Sequence, residues 1–105
     1  MKNPMDVFNE EAPEVSAAFD SLIKTLRLSK GLDEKTKQLI YISLKAAEGD
    51  KIALSFHVPM AKKLGATKAE VADAIILTLT VCGLKGITTC LSEAMSFFQG
   101  DDGAV

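Results

Sequence analysis

LDEKTKQLIYISLKAAEGDKIALSFHVPMAKKLGATKAEVADAI, residues 32–75, is the stretch that decides the fold. Its helix-end signals are unusually dense. Asp33 is a candidate N-cap, and Gly49-Asp50 reads as a stop followed by a second N-cap. Gly65 is a C-terminal stop, and Thr67 with Glu70 spells a capping box. Upstream, Gly31 closes a segment that Pro13 opens in a first-turn position. Five helical segments result: Pro13–Leu28, Glu34–Glu48, Lys51–Leu64, Lys68–Cys82 and Lys85–Gln99. No run alternates as a half-buried strand does. Connections of two to four residues make neighbouring helices antiparallel, so the expected class is an all-α antiparallel bundle.

With 105 residues the chain has room for one domain. Its 12 Lys and Arg nearly balance 14 Asp and Glu, which points away from nucleic-acid or anionic-membrane partners. The N-terminal stretch MKNPMDVFNEEAPEV has acids and no apolar core, unlike a signal peptide. A cytoplasmic setting is expected, with Cys82 and Cys90 reduced. The segment from Val71 to Phe98 carries only Asp73, Lys85 and Glu93 as charges. A helix apolar nearly all round must be buried on every side. A chain this small buries only about 60–70% of its surface, so self-association is expected to cover the segment. A membrane span fits less well, because Lys85 and two glycines interrupt it. The tail Gly100–Val105 has no periodicity and is read as mobile.

His57 is the only histidine, and its ordinary pKa lies nearest neutrality. It can serve as general base, proton relay or metal ligand, or as a hydrogen-bonded structural residue. No second His or Cys stands at ligand spacing, so no metal is expected. Gln38, Tyr41 and Lys45 recur at helical steps on one face, with Gln38 and Tyr41 at the edge of an apolar stripe and Lys45 read as an outer-face residue. Asp50 reads as an N-cap held ionised by backbone N–H groups. Pro59 cannot donate to the carbonyl of Ser55. The helix should therefore kink or loosen there, either as a tolerated kink or as a bend that shapes a pocket. Cys82 and Cys90 would lie roughly 12 Å apart along one straight helix, too far for a disulfide. Both read as buried small hydrophobes.

Leu32-Asp33 with Lys35–Ile40 resembles the LD-x-K-x-(R/K)-E-L-I segment of the carboxymuconolactone decarboxylase and alkyl hydroperoxidase D-like family. His57, Ala61, Gly65-Ala66-Thr67 and Glu70-Val71 resemble its H-x-x-x-A-x-x-x-G-A-T-x-x-E-(I/V) signature. The resemblance implies a helical bundle assembled as a trimer or hexamer. In the redox branch, a Glu, a C-x-x-C pair and the His reduce peroxide or a partner's disulfide. Here the Glu position is Gln38 and the Cys positions are Asp50 and Ala53, so no nucleophile stands there. The decarboxylase branch needs no cofactor. Three functions stay open: an antioxidant, peroxiredoxin-like member; a cofactor-free lyase or isomerase on a small acid or lactone; and a non-catalytic oligomeric binding protein. The resemblance also implies that Gln38 and His57 meet in a pocket; Tyr41 is expected at its edge, and Ser55, or the carbonyl freed by Pro59, at its mouth. A neutral Gln38 should leave His57 near its reference pKa, about 6.5, and the ligand should be small and polar or anionic.

Overall fold

The computed structural model describes residues 3–100. Met1, Lys2 and residues 101–105, which hold most of the tail read above as mobile, lie outside the described residues. Among the described residues every regular element is helical, and no helix is long and apolar enough to cross a membrane. The chain divides into two compact units, residues 1–32 and 33–105.

The first unit is a helical hairpin. Helix α1 spans Pro4–Glu11 and α2 spans Pro13–Leu28. Sequence reading missed α1, although Asn3 caps it (Met5 N–H to Asn3 Oδ1, 2.7 Å) and Pro4 opens it. Phe8 meets Phe19 edge to face at 6.1 Å, fastening the two helices. Ser29 stops α2 where Gly31 was expected to, its hydroxyl donating to the Leu26 carbonyl at 2.8 Å.

The second unit contains α3 (Glu34–Glu48), α4 (Lys51–Lys63), α5 (Lys68–Ile76), the short α6 (Leu79–Cys82), a π-helical turn (Ile87–Leu91) and α7 (Ser92–Ser96). The three N-caps read from sequence are present: Asp33 accepts from Thr36 N–H, Asp50 from Ala53 N–H, and Thr67 from Glu70 N–H. Gly49 and Gly65 end α3 and α4 with φ of 74° and 98°. Behind each, paired bonds form a Schellman motif: Asp50 N–H to Lys45 O with Gly49 N–H to Ala46 O, and Ala66 N–H to Ala61 O with Gly65 N–H to Lys62 O. The core collects Ile42 and Ala46 from α3, Leu54, Val58 and Ala61 from α4, Val71 and Ile75 from α5, Cys90 from the π turn, and Ala94 and Phe98.

Of the last two predicted helices, Lys68–Cys82 is broken at Leu77–Thr78, whereas Lys85–Gln99 is helical as far as Ser96, through a π-helical turn at Ile87–Leu91. Thr78 turns its hydroxyl back to the Ile75 carbonyl at 2.6 Å and its N–H to the same carbonyl, so α5 tightens and ends. Gly83, at φ 71°, then ends α6. Gly86 is buried against α3, where a β-carbon would lie 2.8 Å from Thr78 Oγ1 and 3.0 Å from the Ala46 carbonyl oxygen. The backbone approach that this allows leads into the π turn. Helix α4, by contrast, runs unbroken through Pro59, so only the hydrogen bond to Ser55 is lost.

Candidate functional site

The α3–α4 hairpin brings three of the predicted residues together. His57 Nδ1 lies 2.9 Å from Gln38 Oε1. The Tyr41 ring stacks on the imidazole with centroids 5.2 Å apart and planes at 24°. Gln38 is buried, and Tyr41 and His57 are half-buried. An amide oxygen only accepts, so Nδ1 carries the proton and donates it to Gln38. That fixes the neutral tautomer with a lone pair on Nε2, which has no hydrogen-bond partner among the described residues.

The pKa of His57 is lowered from 6.5 rather than left near it. Burial is the first cause, because it disfavours the imidazolium, and the positive charge of Lys45 is the second; Asp50 opposes both. Exchanging a carboxylate for Gln38 removes an anion, but the expectation of an unperturbed histidine overlooked burial and Lys45. Lys45 is also more than an outer-face residue. Its ammonium lies 3.1 Å from Glu48 and 3.8 Å from Asp50 at the hairpin turn, within electrostatic reach of the imidazole. Its position four residues after Tyr41 was the available signal.

Ser55 is not at the mouth of this site. It lines a separate shallow depression of about 260 Å³ with Lys51, Ile52 and Glu93. Asp50 accepts from Ala53 N–H at 3.0 Å and serves as the cap of α4. Cys90 is fully buried, and its thiol is pushed up from 9.0, first by burial and then by Asp50. Cys82 departs from expectation: the break at Thr78 leaves it exposed, lining an apolar groove of about 220 Å³ with Leu44, Ala47, Leu77 and Val81. Both thiols are free. No group of three or more His, Cys, Asp or Glu that could hold a metal occurs among the described residues.

The model of the Carboxymuconolactone decarboxylase family matches residues 13–94. This chain belongs to the carboxymuconolactone decarboxylase family. An uncharacterized protein of Methanocaldococcus jannaschii is 33% identical over 88 residues, covering 83% of this chain and 85% of that protein. The apo crystal structure of a carboxymuconolactone decarboxylase family protein from Legionella pneumophila superposes with a TM-score of 0.80 at 28% identity. That match covers 91% of this chain and 85% of the other. Within the carboxymuconolactone decarboxylase family, this chain lacks the thiol pair at the two positions held by Asp50 and Ala53. Those positions contribute a cap side chain and a capped amide, so what stands there is helix-end chemistry.

Proposed function

We propose that this protein is a cofactor-free proton-transfer catalyst, a lyase or isomerase acting on a small acid or lactone, with His57 as general base. The observation that carries the reading is the 2.9 Å contact between Nδ1 and the Gln38 amide oxygen. It leaves Nε2 as the basic atom of a histidine whose lowered pKa keeps it unprotonated at neutral pH. Nε2 takes a proton from an acidic C–H of the substrate, and the electron pair moves onto the adjacent carbonyl. The Gln38 oxygen keeps its bond to Nδ1–H in the resulting imidazolium, and the stacked Tyr41 face favours that cation. The same proton then returns to a neighbouring carbon, which completes an isomerisation; in a decarboxylation the C–COO⁻ bond breaks instead, CO2 leaves, the bond's electron pair moves onto the carbonyl, and the enolate takes one proton from water through His57.

A peroxide-reducing role has less support, because it needs a thiolate, and burial holds Cys90 as a neutral thiol. We place the work in the cytoplasm, where the two free thiols stay reduced.

The test is proton exchange. A panel of small keto acids, unsaturated acids and lactones in deuterated buffer is followed by NMR for loss of C–H signal. The reading requires exchange that depends on His57 and rises with pH through a pKa below 6.5. Exchange unchanged in His57→Asn, or absent for every compound, overturns it and leaves the non-catalytic binding role.

A further inference from the structure

Ser55 precedes His57 by two residues on α4, which places it about 200° around the helix from the imidazole. It follows Lys51 and Ile52 by four and three residues, so these three side chains share one strip of the first two turns. Together with Glu93 of α7 they line the depression of about 260 Å³. Its two charges are unmatched. Among the described residues, neither the Lys51 ammonium nor the Glu93 carboxylate has an ion-pair or hydrogen-bond partner, and the two do not pair with each other. Elsewhere in this unit Lys35 meets Glu70, and Lys45 meets Glu48 and Asp50. The neighbouring Asp50 does not neutralise Lys51, because its oxygens are taken by the Ala53 N–H and by Lys45.

We propose that this depression binds a small zwitterion of the α-amino-acid class. The carboxylate of the ligand meets Lys51, and its ammonium meets Glu93. Ser55 supports the ammonium: its hydroxyl already donates to the Ile52 carbonyl, which leaves the oxygen free to accept. Ile52, 64% exposed, offers an apolar surface to an aliphatic side chain. The helix favours the same orientation. Helices α1, α2, α3 and α5 each carry an acid in the first turn, whereas α4 carries none and has Lys51 there. The positive end of the macrodipole disfavours that lysine, and a carboxylate seated on it relieves the conflict. Charge sets the selectivity. A simple acid satisfies Lys51 but brings its anion towards Glu93, and a simple amine has the converse fault. A phosphate carries still more negative charge to Glu93. Size sets the scale, since the volume lies just below the roughly 300–1,000 Å³ of pockets for drug-sized ligands.

The experiment uses the full chain, labelled with 15N, and follows its amide signals by NMR. L-valine is the probe. Isovalerate is valine without the ammonium, and isobutylamine is valine without the carboxylate. Valine should give saturable shifts at the amides of Lys51–Ser55 and of Glu93, with a Kd on the order of 1 mM for so small a ligand. Each half-ligand should bind about tenfold more weakly, because one charge-assisted contact is lost. Lys51→Gln and Glu93→Gln should each weaken valine by a similar factor, and Ser55→Ala by less, with circular dichroism to verify folding. The exchanged pair Lys51→Glu/Glu93→Lys should bind valine better than either single variant, with the ligand reversed. Absence of a saturable valine shift overturns the proposal, as do shifts centred on His57 and Gln38. Isovalerate that binds as tightly as valine reduces the depression to an anion site and overturns the zwitterion. A folded exchanged pair that binds no better than the single variants overturns the roles given to the two charges. None of these readings involves turnover, so failure of the His57 base does not move them.

Discussion

His57 and Cys90 sit in the same unit, and the same force acts on both with opposite chemical results. Burial favours the uncharged form of each. For an imidazole the uncharged form is the base; for a thiol it is the form that does not attack. In the proposed reading, a site with Asp50 and Ala53 at the thiol positions relies on a half-buried, uncharged imidazole for its proton transfer. The partners sharpen the contrast. His57 has a buried amide to set its tautomer, whereas Cys90 lies at 0% exposure among core side chains.

The largest effect that could break this comparison is in turnover. His57→Asn should reduce proton exchange by about 10²–10⁴-fold, the span of a positioned general base, while Cys82→Ala should leave it unchanged. Any peroxide consumption should be weak and should survive replacement of both cysteines, read as peroxide loss in a coupled assay. Robust turnover abolished by a single cysteine change in a folded protein would reverse the roles assigned to the two residues.

A smaller effect is in stability. Cys90→Ser places a hydroxyl where the core offers no arranged partner and should cost about 1–3 kcal/mol in urea unfolding, with exchange activity retained below the transition. Next, Gln38→Glu should sharpen the comparison from the other side. A carboxylate beside Nδ1 favours the imidazolium, so the histidine pKa rises in an NMR titration, and the exchange profile moves to higher pH with it. An unmoved titration would mean that burial and Lys45 alone set the value.

The smallest effect is the dependence of stability on pH. The native pKa of His57 lies below the unfolded value of 6.5, so between the two the unfolded chain binds more protons. Stability is therefore full above 6.5, falls as pH drops through that value, and levels off below the native pKa. Cys90 acts at the other end. Its raised pKa makes the unfolded chain lose its proton first, so stability declines as pH climbs through 9.0. Urea midpoints between pH 5 and 10 check both limbs, and His57→Asn should flatten only the acidic one.

What was legible in the sequence divides along a physical line. Helix ends written by one side chain and one backbone group, at Asp33, Asp50, Thr67 and the glycines 49 and 65, were readable because capping is local. The break at Thr78 and the π turn were not, because they depend on Thr78 turning back on its own helix and on Gly86 meeting a carbonyl some forty residues earlier in the chain. Helix α1 was missed although Asn3 caps it and Met5 and Phe8 stand one turn apart, because eight residues are too short a run for periodicity to declare a helix. In the site, the pairing of Gln38 with His57 came from the family resemblance, since spacing alone could not show that two helical faces oppose each other. The tautomer, the lowered pKa and the part played by Lys45 required three-dimensional neighbours.

Glu70 has a consequence for motion. One of its carboxylate oxygens accepts the Thr67 N–H at 2.9 Å and completes the cap of α5, while the other meets Lys35 Nζ of α3 at 3.0 Å. The first turn of α5 and the seam between two helices thus share one side chain and should open together rather than in sequence. Fraying of that turn becomes a correlated event, in which the amides of Thr67 and Glu70 exchange with solvent at a common rate set by the departure of Lys35.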